Sequence, residues 1–434
     1  MTSAPDAGAL PEAEVPPNAP TAKRDFALLW TGQSVSLFGD QFMTLALPLL
    51  AVTTLGASPA QAALLKFALF LPFLLLGLQA GAIVDRLPRL ATMIGANTIQ
   101  FFSFGAIWLL AAVDSLSFVT LFALITVSGV AVVFFQVAYT SYLPDLFKNT
   151  KDLHRGNARL ALSESTSQAV GPMVGAPVIA FLGLVGAVAA NTVGFAVSVV
   201  TLAMMKHKEP PRAKTERERG WMRKAIGEGL TFVRSHPILQ PIMLCGTTYT
   251  LFLTMVTTSL VLYCKIELGL STQWIGVVVG AAAAGYPIGN MISARLGERI
   301  GYEKALFISA SISVTGILLM PAFGSLGGIP GTIGLIFGSI FHCVGEGSYS
   351  PTSLTLRQMV TPSELLGRVG SVQRFLIWGM ISLGSLLASI ATALVGLTGA
   401  MWIGAVGTVL CLPALLRRGM RAAVLNTAES KGDR

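Results

Sequence analysis

The chain has 434 residues, of which 53% are hydrophobic and only 12% charged, and its mean hydropathy is +0.69. A water-soluble domain carries about 25% charged residues, so this composition excludes an ordinary soluble fold and points to lipid as the solvent. The formal net charge of +9 is distributed between long apolar runs without forming an aromatic-studded basic patch, which speaks for membrane topology and against nucleic-acid binding.

Residues 1–22 hold five prolines and three acids with almost no large hydrophobe, the composition of a disordered tail. The tail lacks the basic start and apolar core of a signal peptide, so the run after Lys23-Arg24 reads as an uncleaved helix. A span needs about 20 apolar residues. Such runs fall at 26–55, 60–84, 91–112, 117–142, 158–182, 185–205, 238–263, 272–294, 303–323, 331–354, 369–394 and 398–416. The expectation is an all-α membrane protein of twelve transmembrane helices. Pro48, Pro72, Pro172 and Pro287 lie inside these runs, where neighbouring helices can re-satisfy the freed backbone groups. The pairs Gly77/Gly81, Gly171/Gly175, Gly285/Gly289 and Gly334/Gly338 have the spacing that lets helix backbones approach. Cys245, Cys264, Cys343 and Cys411 stand singly in apolar runs and read as small buried hydrophobes, with neither a disulfide framework nor a metal site implied.

Loop charges give the orientation. Arg86 and Arg89; Lys148, Lys151, Arg155 and Arg159; Arg295, Arg299 and Lys304; and Arg357 and Arg368 fall on one set of connections, together with both chain ends. The alternate connections carry only Lys265. By the positive-inside rule both termini are expected in the cytoplasm.

The hydrophilic stretch 206–236 divides the chain into bundles at 23–205 and 237–417, with a C-terminal tail at 418–434. Its first part is a charged, proline-containing linker; Trp221–Arg234 has helical spacing and reads equally as an interfacial helix or as a solvated helix packed on the loops. Gly156 and Gly367 are 211 residues apart and Gly81 and Gly289 are 208 apart, at matching helix ends. This near-constant offset indicates two pseudo-symmetric six-helix bundles, an arrangement that places a binding site at their interface near the midplane.

Ionisable groups inside spans are costly and so are functional candidates. Asp40 lies about 21 Å into the first span, without a basic residue at its depth, and is the first candidate for a protonation-switching carboxylate; a structural Asp bonded to Gln33 or Gln41 is the alternative. Lys66 is near enough to the opposite surface to snorkel. Glu346 and Arg374 are placed level on neighbouring antiparallel spans and are expected to pair, while His342, one turn from Glu346, could share a proton with it. Gln136, Glu164 and Asn191 are cavity candidates by depth.

Three segments resemble known motifs. Gly81-Ala82-Ile83-Val84-Asp85-Arg86-Leu87-Pro88-Arg89 is similar to the loop signature G-x-x-x-D-R-x-G-R-R of the major facilitator superfamily, matching at Gly81, Asp85, Arg86 and Arg89 and departing at Pro88 and Leu90. The second-half segment Gly289–Arg299 has Ser293 where the acid would fall. Gly171-Pro172-Met173-Val174-Gly175-Ala176 resembles the Gly-Pro antiporter motif of that superfamily's exporters, with Ala176 in place of its final Gly. The opening Leu29–Gln41, Leu143-Pro144-Asp145 and the segment from Arg357-Gln358 to Gly367-Arg368-Val369 resemble the branch of macrolide-efflux and enterobactin-exporter-like proteins.

The resemblance implies a proton-driven exporter of a lipophilic or amphipathic small molecule in a bacterial inner membrane. Protons, the substrate and the bilayer would be its partners, it would act as a monomer, and it would need no cofactor beyond the proton gradient. Asp85 could then face the N-terminus of the eleventh span in one access state. No phosphate loop, HExxH or GxSxG occurs, so neither an ATPase nor another enzyme is expected. An importer or facilitator of a polar metabolite is the second reading, and a non-transporting scaffold or receptor a third.

Overall fold

The computed structural model describes residues 19–84, 86–147, 149–206, 209 and 221–416. In hydrocarbon, backbone polar groups must bond within the chain, and helices satisfy them locally. The elements are α1 (Ala19–Thr53), α2 (Pro59–Val84), α3 (Arg89–Ala112), α4 (Phe118–Leu146), α5 (Thr150–Ala203), α6 (Trp221–Ser235), α7 (Leu239–Ile266), α8 (Thr272–Ala282), α9 (Gly285–Ile300), α10 (Tyr302–Gly324), α11 (Gly328–Val360) and α12 (Ser363–Thr408), followed by two short terminal turns. No strand occurs among the described residues.

Among the described residues ten helical stretches are long and apolar enough to span a bilayer, and two of these, Asp152–Ala203 and Glu364–Leu415, have 52 residues each. A straight helix of that length would reach about 78 Å, more than twice the roughly 30 Å of the hydrocarbon core. Both are folded back at a glycine, Gly183 with φ +73° and Gly396 with φ +75°, in the left-handed region open to glycine. Divided there, the described residues are consistent with the expected twelve spanning segments. The span α8–α9 is itself interrupted just before Pro287, whose missing N–H leaves the Ala283 carbonyl without its helical partner.

The expected spans all find a helix, but several helices run past their expected ends: α4 to Leu146, α11 to Val360, and α5 and α12 beginning at Thr150 and Ser363. Charged residues at these ends, which marked loops in the sequence, sit on continuous helix. The connections carrying Arg86, Arg89, Arg295, Arg299, Arg357 and Arg368 share one end of the molecule with the first and last described residues. This is the basic end.

In the first half α1 packs on α5, α2 on α4, and α3 on both α4 and α5; in the second α7 packs on α12, α10 on α11, and α11 on α9. The halves meet along two seams, α2 against α12 and α5 against α8. Glycines set the closest approaches. A Cβ on Gly316 or Gly345 would collide with the backbone of His342 or Ser313, so α10 and α11 lie backbone to backbone. Gly285 and Gly289 bring α9 equally close to α11, and Gly334 and Gly338 join the α10–α11 contact. Gly171 and Gly175 accept Gln41 and Phe42 of α1. Gly77 and Gly81 differ from the other pairs: Gly77 has only Phe375 at 3.9 Å, and beside Gly81 there is open space.

The linker helix α6 packs on the basic ends of α7 and α12, with Val233 buried against Met243 and Val369. Glu228 pairs with Arg368. Between α6 and α7, His236 Nδ1 accepts from the amides of Ile238 (3.2 Å) and Leu239 (3.4 Å). Desolvation holds the His236 imidazole below its ordinary pKa of 6.5.

Two predictions follow from this packing. Gly345→Ala should lower the melting temperature in detergent, by overpacking worth about 1–3 kcal/mol, whereas Gly95→Ala, where a Cβ meets nothing within 4 Å, should leave it unchanged or raise it slightly. Only the neutral His236 can accept from the α7 amides, and its folded pKa is depressed. Its contribution to stability is therefore complete above pH 6.5 and lost as pH falls through the lower folded value. Acidification from neutrality should destabilise the wild type more than His236→Asn, read by melting temperature against pH.

Candidate functional site

In the basic-end half of the second bundle, a cavity of about 180 Å³ lies between α7, α11 and α12. Along α11 its wall is made by Glu346, Tyr349, Ser350, Ser353, Leu354 and Arg357, which share one helix face over three turns. From α7 come Tyr249, Thr250 and Thr247, and from α12 Gln373, Leu376 and Ile377.

At the deep end, Ser313 Oγ lies 2.6 Å from Tyr249 OH and 2.8 Å from His342 Nδ1, and Tyr249 OH is 3.1 Å from the same imidazole nitrogen. Tyr249, Ser313 and Glu346 together line a small void beside this cavity. The glycine contact between α10 and α11 brings Ser313 and His342 together, while α7 supplies Tyr249. A carboxyl at the cavity wall thus stands beside hydroxyls that bond a buried imidazole. Such a cluster can bind a proton and redistribute it.

The expected ion pair between Glu346 and Arg374 does not form. Because α11 continues to Val360, Glu346 lies about 21 Å from the end of its helix. Arg374, by contrast, is about 16 Å from the start of α12. The cavity-facing positions of α12 are Gln373, Leu376 and Ile377, and Arg374, about 100° around the helix from Gln373, is exposed. His342 is buried, and its imidazole meets Ser313 and Tyr249, not Glu346.

The other candidates lie apart from this cavity. Asp40 is exposed, and no hydrogen bond joins it to Gln33 or Gln41 among the described residues; Gln41 packs on Gly171 instead. Asn191 lines no cavity. It is fully buried against Gly39, and neither of its amide atoms finds a partner among the described residues. Gln136 is half-buried and Glu164 exposed; next to Glu164, Ser163 Oγ accepts from Trp30 Nε1 at 2.8 Å and meets Ser34 Oγ at 2.9 Å, joining α5 to α1. Lys66 does not simply snorkel: its ammonium donates to Thr257 Oγ1 of α7 at 3.2 Å, across the two halves.

Asp85 lies outside the described residues. Of its loop, Arg86 is exposed, while the Arg89 guanidinium pairs with Asp145 and donates to the Ser141 carbonyl of α4. The first amides of α3, those of Arg89 and Leu90, donate to Glu209 at 2.9 and 2.6 Å, so a linker carboxylate caps this helix. In the antiporter-like motif, Pro172 and Ala176 face Gly276 of α8, with Gly280 against Met173, so the motif builds the α5–α8 seam as well as the α1 contact.

Along the α2–α12 seam, Ser389 Oγ donates to the Ala60 carbonyl at 2.8 Å near the end opposite the basic one, and Phe73 meets Trp378 edge to face at 4.0 Å between centroids. Toward the basic end the seam parts. A Cβ on Gly81, Gly367 or Gly370 would touch nothing within 4 Å.

Sequence reasoning missed five participants. Tyr249 and Ser313 are common residue types in membrane helices and become special only through the α7–α10–α11 packing. Arg357 reads as a loop charge because the apolar run stops before it. Glu209 and Glu228 look like ordinary linker charges, and nothing in their spacing marks the helix ends they meet.

Helices of spanning length in two packed halves, enclosing a polar-walled cavity, define a membrane transporter. The family model of the Major Facilitator Superfamily matches residues 29–373 and 242–433. The chain belongs to this superfamily, a family of transporters and not of enzymes. It is 26% identical over 380 residues to an uncharacterized MFS-type transporter, YfiS, of Bacillus subtilis, covering 87% of each chain. It is 24% identical over 402 residues to macrolide efflux protein A of Streptococcus pyogenes, covering 91% of this chain and 95% of that one. Among solved structures, a bacterial homologue of the iron transporter ferroportin in its inward-facing state superposes with a TM-score of 0.70 at 18% identity, covering 91% of this chain and 99% of that one. The outward-facing state of that homologue gives 0.59 at 18% identity, covering 90% and 98%.

Proposed function

We propose that the protein is a secondary active exporter that exchanges a lipophilic or amphipathic small molecule for protons by alternating access. It would work as a monomer in a bacterial inner membrane, with both termini and the basic end in the cytoplasm. Residues 23–205 and 237–417 are the two moving bodies and 206–236 the cytoplasmic linker between them; the proton gradient supplies the energy without a bound cofactor. Glu346 carries this reading, as a carboxyl at a cavity wall beside the hydrogen-bonded group of Tyr249, Ser313 and His342. Two access states that hydrate this carboxyl differently bind its proton with different affinity, and that difference couples proton movement to the switch.

The positive-inside rule supports the sidedness, as does the greater likeness to the inward-facing than to the outward-facing state of the ferroportin homologue. The relative that is a macrolide efflux protein supports export. In this reading the loop Gly81–Arg89, with Asp85, gates the basic end. Asp40 is the second coupling candidate, because without Arg374 as partner nothing holds Glu346 permanently ionised and the order expected from depth is reversed. A second reading, import or facilitated passage of a polar metabolite, is favoured by the hydroxyls of Thr247, Thr250, Ser350 and Ser353 on the cavity wall.

Everted vesicles carrying the wild type should accumulate a macrolide or a lipophilic cation on energisation and release it when the proton gradient collapses. Glu346→Gln should reduce this to the level of vesicles without the protein, and Asp40→Asn should reduce it less. Full coupled flux in Glu346→Gln with none in a well-folded Asp40→Asn would transfer the proton to Asp40. Uptake in the reverse direction by the wild type would establish the second reading.

A further inference from the structure

The cavity contains a second charge that the coupling chain does not use. Arg357 lines the same wall as Glu346, eleven residues further along α11, about 16 Å away along the helix. The two therefore share a face but are too far apart to neutralise each other. Arg357 Nη1 is buried and has no hydrogen-bond partner among the described residues. A guanidinium left this way is an incomplete interaction, because burying a charged donor without an acceptor is costly. Gln373 of α12 and Ser353 of α11 line the cavity with it and offer neutral hydrogen-bonding groups. Beside the hydroxyls of Ser350 and Ser353, the same wall carries apolar groups at Ile242, Leu354, Leu376 and Ile377.

We propose that Arg357 is an anion-recognition residue of the substrate cavity, and that the molecule bound there is a small organic acid: a carboxylate held by the guanidinium, with an apolar body lying along Leu354, Leu376 and Ile377. Guanidinium matches a carboxylate with two parallel N–H donors, which a neutral amide or alcohol cannot exploit in the same way. Size agrees with the assignment. A volume of about 180 Å³ holds about six water molecules and lies below the roughly 300–1,000 Å³ of pockets for drug-sized ligands. The cavity thus admits a compact acid, or the acidic end of a larger amphipathic substrate. The assignment rests on the transport reading only in taking the cavity to be the substrate's.

Benzoate is a suitable probe and benzamide its neutral counterpart of nearly equal shape. Binding of each to the purified full-length protein in detergent, at fixed ionic strength and without any gradient, is read by isothermal titration. Benzoate should bind saturably and at least about tenfold more tightly than benzamide. Arg357→Gln should remove that preference and Arg357→Lys should retain part of it. Equal binding of the two probes by the wild type, no saturable benzoate binding, or an undiminished benzoate preference in Arg357→Gln would each overturn the assignment; the first two need no variant to fold. Because no proton gradient is involved, failure here with intact proton-driven flux in vesicles removes the anion site and leaves the exporter reading standing. Selective benzoate binding without proton-driven flux does the reverse.

Discussion

Lipid offers helices no hydrophobic reward for leaving it, since the surrounding chains are as apolar as leucine. Association must come from close van der Waals contact and from hydrogen bonds between helices. In this protein that requirement is met most tightly where α10 and α11 lie backbone to backbone at Gly316, Gly338 and Gly345. The functional chemistry depends on that contact. Only at this separation do a serine on one helix and a histidine on the other come within hydrogen-bonding distance, and only then can a tyrosine from α7 meet both beside Glu346. The same glycines also stiffen the second bundle, so that the polar network is carried as part of a rigid body.

The seams between halves are built differently. On the α5–α8 side, Gly276 and Gly280 accept Pro172, Ala176 and Met173; on the α2–α12 side, one aromatic contact and one serine–carbonyl bond suffice before the helices part toward the basic end. At the basic end the linker attaches to both halves, through Glu209 at the start of α3 and through Glu228 at Arg368 of α12. The segment joining the bundles is therefore bonded to the machinery at the open side.

Much of this architecture was legible in the sequence because hydrocarbon leaves few options. Apolar runs of the right length became helices, the spacing of basic loops matched one end of the bundle, and Gly171/Gly175 and Gly285/Gly289 marked close helix contacts. What could not be read depends on rotation about a helix axis and on where a helix stops. Arg374 and Gln373 are neighbours in sequence, yet only Gln373 faces the cavity; Asn191 has the depth of a cavity residue and is turned toward Gly39. Arg357 reads as loop until α11 is seen to continue through it. Tyr249 and Ser313 gain their roles from three helices meeting, which no local pattern encodes.

At the end opposite the basic one, the halves are held by Lys66 on Thr257 and by Ser389 on the Ala60 carbonyl. Such bonds contribute about 0.5–3 kcal/mol each, comparable to the few kcal/mol that separate the conformers of a switching protein. Each bundle, by contrast, is interlocked through backbone contacts that cannot separate without unpacking its core. Mechanically the molecule is two internally interlocked shells, joined by side-chain bonds along one seam and by glycine-accepted packing along the other.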